Sequence, residues 1–432
     1  MPSAPAPISE DVDVRLGNGL RVVLMPDHAV PAVCTAVAYD VGTRSEPEDR
    51  TGFAHLFEHL MFQGSVNLEK MAHARIIEET GGSFNASTRP DSTVYHQILP
   101  SGGVERALFL EADRMRGPRI TEENLRNQID VVSEEIRVNV LNVPYGGFPK
   151  TRLCPVLFDT FPNAHDGYGS FEDLRSATVA EAEDFFHHFY SPSNAALVVT
   201  GDFDAEATLS LVHKHFADIP GRDAPDRPDF GEPDLTASRH HREHDPLTPL
   251  PAFASGWRVP DPIGEFAEFL PFVVLAEVLA GGERSRLVRR LVHTDHTVMT
   301  VNAAANLLGD PFGVRSPTGF RIAGYLPENG EVEPVLEVIR EETDRLAADG
   351  LEPGELAGVR ARMNARLIRN LDDLRARTVW ATAGTLQRNR PRFAEDLPAM
   401  VDAVTAEQLA AAASTLVPER RATVEIVPGG TP

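Results

Sequence analysis

The chain has 432 residues, enough for two or three domains of ordinary size, and its 42% hydrophobic and 24% charged residues are those of a folded protein with a substantial core. Lys plus Arg number 41 against 64 Asp plus Glu, a net charge of −23, which argues against nucleic acid or an anionic membrane surface as partner. Cys34 and Cys154 are too few for a disulfide framework, the N-terminal stretch lacks the basic and apolar regions of a secretory signal, and the apolar run 269–280 is broken by Pro271 and Glu277, so a cytoplasmic protein without a membrane span is expected.

In chain order, the first half opens on two strands, 20–25 (LRVVLM) and 32–39 (AVCTAVAY). Apolar spacing predicts helices over 51–63, 68–80, 103–115 and 121–142, a strand at 195–200 stopped by Gly201, and a helix over 205–217. Residues 220–246 are rich in Pro, Asp and charge and read as an extended linker. The second half predicts a strand at 252–259, helices over 264–281, 284–293, 332–348 and 353–376, and a closing strand at 423–427. Two domains follow, 8–219 and 247–428, of α+β class: each an α/β sandwich in which an antiparallel-rich sheet carries helices on one face. HLFEHLMFQGS (55–65) and VLAEVLAGGERS (274–285) align in register, Leu56 with Leu275, Glu58 with Glu277 and Leu60 with Leu279, which suggests two copies of one domain. Val274 and Val278 stand where the first copy has His55 and His59.

The densest chemistry lies in His55-Leu56-Phe57-Glu58-His59. Residues four apart share one helical face, so both imidazoles can grip one ion, and Glu58, three on from His55, points the same way. Thr51 is expected to cap this helix and Gly64 to end it. Two imidazoles and a carboxylate suit a catalytic zinc, which keeps a position for water and lowers its pKa to about 7. A carboxylate beside that water, off the metal, can take its proton and pass it to a leaving amine. H-x-x-E-H is the inverted form of the H-E-x-x-H zinc motif. The third ligand is expected from the 121–142 helix, where Glu134 and Glu135 lie about 100° apart and only one can share the metal face. The apolar stripe of Ile129, Val132 and Ile136 favours Glu135. The pentapeptide by itself does not separate a zinc site from a structural histidine pair. Arg239-His240-His241-Arg242-Glu243-His244 also has histidines four apart, but within the linker no rigid site is expected.

These motifs are joined, in order, by GGSFNASTRPDSTVYHQILP (81–100), DVVSEEIR (130–137), SPSNAALVVTGDF (191–203) and GGERSRLVRRLV (281–292). Together they resemble the M16 family of inverzincin metallopeptidases, the group of pitrilysin, insulysin and the mitochondrial processing peptidase, in its short two-domain bacterial form. The separation 135 − 59 = 76 matches the family's spacing to its third ligand. The resemblance implies a fold of the LuxS/MPP-like metallohydrolase type and a zinc endopeptidase that cuts extended peptides in a closed chamber. It implies one zinc per chain on His55, His59 and Glu135, with Glu58 as general base. Asn85 and Ala86 would lie on an edge strand that pairs with the peptide. Gln128 occupies a position where family members often carry a supporting glutamate. Active members also bring an Arg and a Tyr from the second half to the substrate; Arg290 is the candidate arginine, but Val298 or Met299 stands where the tyrosine is expected. Family enzymes close as two halves of two such domains each, so the implied working unit is a heterodimer with an M16-like subunit that supplies the missing pair, or else a homodimer. The rival reading is a non-catalytic peptide-binding or scaffold subunit.

Overall fold

The computed structural model describes residues 11–429. In chain order these form β1 (Val12–Arg15), β2 (Arg21–Pro26), β3 (Ala32–Tyr39), α1 (Phe53–Leu60), α2 (Ala72–Glu79), β4 (Ser83–Thr88), β5 (Thr93–Pro100), α3 (Val104–Arg116) and α4 (Glu122–Ile136). Then come α5 (Lys150–Leu157), α6 (Phe161–Ala164), α7 (Phe171–Ser176), α8 (Val179–Phe189), β6 (Ala195–Gly201), α9 (Ala205–Phe216), β7 (Arg239–Asp245) and β8 (Ala252–Val259). The remainder is α10 (Phe266–Ala280), β9 (Thr300–Ala304), β10 (Thr318–Tyr325), α11 (Val332–Asp349), α12 (Glu355–Asp372), α13 (Leu374–Arg388), α14 (Phe393–Ala403), α15 (Ala406–Ser414) and β11 (Ala422–Pro428).

The fold is mixed α/β with two sheets. The first runs β1-β2-β6-β3-β5-β4 and the second β7-β11-β8-β10-β9. Each is antiparallel except for one pair, β2 with β6 and β11 with β7. Apart from β1, the two sheets therefore repeat one strand order with the parallel pair in the same place, the architecture expected of a duplicated domain.

β3 and β6 are buried almost end to end, and their sequences are near-continuous apolar runs, as befits strands covered on both faces. Val33, Val37 and Tyr39 point to the side of α1, α3 and α8, where Tyr39 packs 4.5 Å from Tyr190. Cys34, Ala36 and Ala38 point the opposite way, and α13 lies there. Its Val379 and Leu386 pack on Ala36, Ala38 and Val94, and its Ala381 on Val23, Met25 and Val198. In the second sheet the matching place belongs to α5, whose Leu153 and Leu157 pack on Ala252, Ala254, Ala422 and Val424. Small residues let it approach: a Cβ at Gly256 would sit 3.0 Å from Leu153 Cδ2, and one at Gly319 would sit 2.9 Å from Leu157 Cδ2.

The compact units are consequently not consecutive stretches of chain. One takes the residues up to Val132, Tyr168–Pro228 and Arg369–Glu395; the other takes Ser133–Gly167, Asp229–Ile368 and the residues from Asp396 on. The division at 8–219 and 247–428 leaves out this exchange, because an apolar helix face does not name the sheet it will cover. The reading of 220–246 as one linker also needs correction. Residues 220–238 lack regular structure, but 239–245 is β7, paired with β11 from Arg239↔Ala422 to Asp245↔Pro428. It carries no apolar alternation because it is an edge, whereas its counterpart β2 is flanked by β1. Charged neighbours hold it instead: His240 Nε2 lies 2.8 Å from Glu425 and Arg239 2.8 Å from Asp159. The helix expected over 353–376 is two, because the Asp373 carboxylate accepts from Ala376 N–H at 2.7 Å and starts α13 afresh. Among the described residues no helix is long and apolar enough to cross a membrane, and neither cysteine forms a disulfide.

Candidate metal centre

Burial of Phe53, Ala54, Leu56, Phe57 and Leu60 anchors α1 and leaves His55, Glu58 and His59 together on its half-buried face. Phe57 packs 4.8 Å from Phe185 of α8. The start of the helix differs from the expected Thr51 cap. Gly52 holds that place at φ 87°, and a Cβ there would meet Tyr168 O at 2.9 Å. The orphan N–H groups go to Glu46: Gly52 N–H donates to Oε2 at 2.9 Å and Ala54 N–H to Oε1 at 2.7 Å. A carboxylate at a helix N-terminus also suits the helix dipole. The Thr51 hydroxyl instead donates to Asp173 and accepts from Ser170 N–H. Gly64 takes φ 104° where the chain turns away after the helix.

Two residues before Glu46, the buried Arg44 is paired with buried Asp91 in the β4–β5 turn, Nε to Oδ1 at 2.9 Å and Nη2 to Oδ2 at 2.7 Å. This ion pair fixes the edge hairpin against the segment that caps α1. Asp91→Ala leaves a buried guanidinium without its carboxylate and is expected to cost about 3–5 kcal/mol, read as a lower urea midpoint. Joint apolar replacement of Arg44 and Asp91 should cost less.

α4 is held by Leu125, Ile129, Val132 and Ile136, all buried, and its last turn brings Glu135 to the α1 histidines. The candidate ligand atoms of His55, His59 and Glu135 all lie within 4.8 Å of one another, close enough to share one ion. The two rings are 5.0 Å apart at 82°. Glu134 faces outward and pairs with Arg137 at 3.0 Å. Among the described residues no second group of this kind is present, and His240 and His244 lie on the charged edge strand. Donor chemistry and spacing both fit zinc.

Glu58 stays out of this cluster. The Thr88 hydroxyl, at the end of β4, donates to Glu58 Oε2 at 2.7 Å and lies 3.3 Å from Ala54 O. Thr88 and Glu46 thus support the site without having been singled out in the sequence: Thr88 stands within the 81–100 motif, whereas Glu46 lies nine residues before His55, outside all of the motifs. Asn85 and Ala86 lie on β4, the outermost and partly exposed strand of the first sheet, and Ala86 N–H donates to Asn85 Oδ1 at 2.8 Å. Gln128 is buried but donates to Asn127 Oδ1 at 2.8 Å rather than to His55 or His59. Arg290 stands on a π-helical turn (Val288–Thr294) of the second unit, with its Nε 2.5 Å from Asp295 and Glu341 3.7 Å away, so two carboxylates already face its guanidinium. Met299 is exposed and Val298 buried at the place of the absent tyrosine.

Burial, and then the charge of His59, pushes the His55 imidazole down to about 4, so it is neutral and its lone pair is available at pH 7. Burial, followed by Arg114, takes His73 to about 3; burial, followed by Arg375 and Arg89, takes His96 to about 4. Each folded value lies below the ordinary 6.5, so the unfolded chain binds more protons between these limits. The metal-free protein should keep its full stability above about pH 7 and lose it as pH falls toward 4, seen as a declining urea midpoint.

The chain matches known families and proteins over most of its length. A model described as Insulinase (Peptidase family M16) matches residues 21–143, and one described as Peptidase M16 inactive domain matches residues 176–363. An uncharacterized zinc protease of Mycobacterium leprae is 28% identical over 412 residues, 94% of this chain and 89% of that protein. A protease from Helicobacter pylori superimposes with a TM-score of 0.88 at 25% identity, over 97% of this chain and 100% of the other. The periplasmic protease PqqL from Escherichia coli superimposes at 0.79 and 19% identity, over 99% of this chain but 48% of its own.

Proposed function

Because the chain belongs to peptidase family M16, we propose that it is a zinc-dependent endopeptidase that hydrolyses extended peptides, with His55, His59 and Glu135 holding one zinc ion. The observation that carries this reading is the meeting of those three side chains with Glu58 beside them but outside the cluster. Zinc, when bound, supplies a water acidic enough to be used near neutral pH. Glu58 is then the general base, oriented by Thr88, and hands the proton to the leaving amine. The outer edge of β4, with Asn85 and Ala86, aligns the substrate backbone as an added strand. Hydrolysis is assigned to the first copy of the domain, since Val274 and Val278 replace the histidines in the second.

The working unit we propose is a heterodimer with a second M16-like subunit, enclosing the peptide in a chamber. The paired state of Arg290 and the missing tyrosine support a partner that brings both groups. So does the Escherichia coli relative, of which this chain matches 48%. A reducing cytoplasm suits two cysteines that form no disulfide. Metal analysis and hydrolysis of an unstructured peptide, with the partner present, test the proposal together. The expected result is one zinc per chain and cleavage that a chelator abolishes and added zinc restores. Metal-free protein that binds peptide without cutting it would favour the non-catalytic subunit instead.

A further inference from the structure

Side chains along β4 divide between the two faces of its sheet. Phe84, Ala86 and Thr88 point toward α1: the Phe84 ring lies 5.2 Å from Phe62, and Thr88 reaches Glu58. Asn85 and Ser87 point the other way, toward the face on which α13 runs, and Arg89 continues that parity into the turn closed by its N–H on Ser92 O. His96, opposite Asn85 in the strand register, shares this face, and Arg375 stands in the first turn of α13. Arg89 makes no side-chain hydrogen bond or ion pair among the described residues. The carboxylate nearest Arg375 is Asp373, 3.9 Å away, with both side chains 55% exposed. Arg377, two residues on, is already paired with Asp27 at 2.6 Å. Burial first, and then the positive charges of Arg375 and Arg89, hold the His96 imidazole below its ordinary value. A chain of net charge −23 thus carries two weakly engaged guanidinium groups along one flank of its open sheet edge.

We infer that Arg89 and Arg375 set substrate choice: a peptide paired with β4 presents alternate side chains to them, and acidic side chains are preferred at those positions. This rests on the proposed role of β4 as the peptide-binding edge. The signature is positional, because the field of the whole chain disfavours acidic peptides in general while this flank favours acidic residues of one parity.

The test is cleavage of a mixture of unstructured peptides with Glu, Gln or Lys randomised at each position, by the zinc-loaded chain with its partner, with cut sites mapped by mass spectrometry. Glu should be enriched over Lys roughly three- to tenfold at alternate positions around the scissile bond, falling with added salt. The double variant Arg89→Glu, Arg375→Glu should transfer the enrichment to Lys at the same positions, and Arg89→Lys, Arg375→Lys should retain Glu. Cleavage without alternating enrichment, or Glu enrichment that survives the charge reversal, overturns the inference while leaving the peptidase reading intact. If no peptide is cut, the peptidase reading fails and this inference fails with it.

Discussion

Glu58→Gln is expected to lower kcat by about 10²–10⁴-fold while zinc stays on the protein. The carboxylate lies outside the group of His55, His59 and Glu135, so its loss removes a base and no ligand. Glutamine keeps an oxygen that can accept from Thr88, so the side chain should hold its place beside β4. Metal content and kcat, measured on one preparation, give the answer. Unchanged turnover would remove Glu58 from the mechanism, and loss of zinc would show it to be a ligand.

Glu135→Gln should act by a different route. It replaces the negative ligand with a neutral amide, and zinc binding is expected to weaken by more than the roughly 10–100-fold that even a supporting residue is worth. Hydrolysis should then fall to background, because water without the metal is not ionised at neutral pH. Glu134→Gln is the matched control. Its partner is Arg137 on an exposed surface, so zinc and turnover should stay at the wild-type level. Equal zinc loss in both variants would mean that the helix end, and not a ligand, had been disturbed.

Much of the candidate metal centre is legible in the sequence because its geometry is local. His55 and His59 share a face through helical periodicity alone, and the stripe of Ile129, Val132 and Ile136 turns Glu135 inward. The apolar runs that became β3, β6 and β8 are equally plain. What supports the site is long-range and was not legible. Glu46 caps α1 from outside the helix, and Thr88 is placed by strand pairing 30 residues along the chain from the Glu58 carboxylate that accepts its hydrogen bond. Short or edge strands such as β1, β7 and β9 take their stability from backbone ladders that side-chain patterning does not record.

The crossing-over of α5 and α13 decides which fragments of this gene product can exist alone. A piece ending at residue 219 would contain His55, Glu58, His59 and Glu135, yet it would lack the segment 369–395 that seals one face of its own sheet. Ala36, Ala38, Val94 and Val198 would then face water, and the remaining α5 would carry Leu153 and Leu157 with no sheet to receive them. The half that carries the candidate zinc site therefore depends, for the cover of its own sheet, on a segment more than two hundred positions downstream of Glu135.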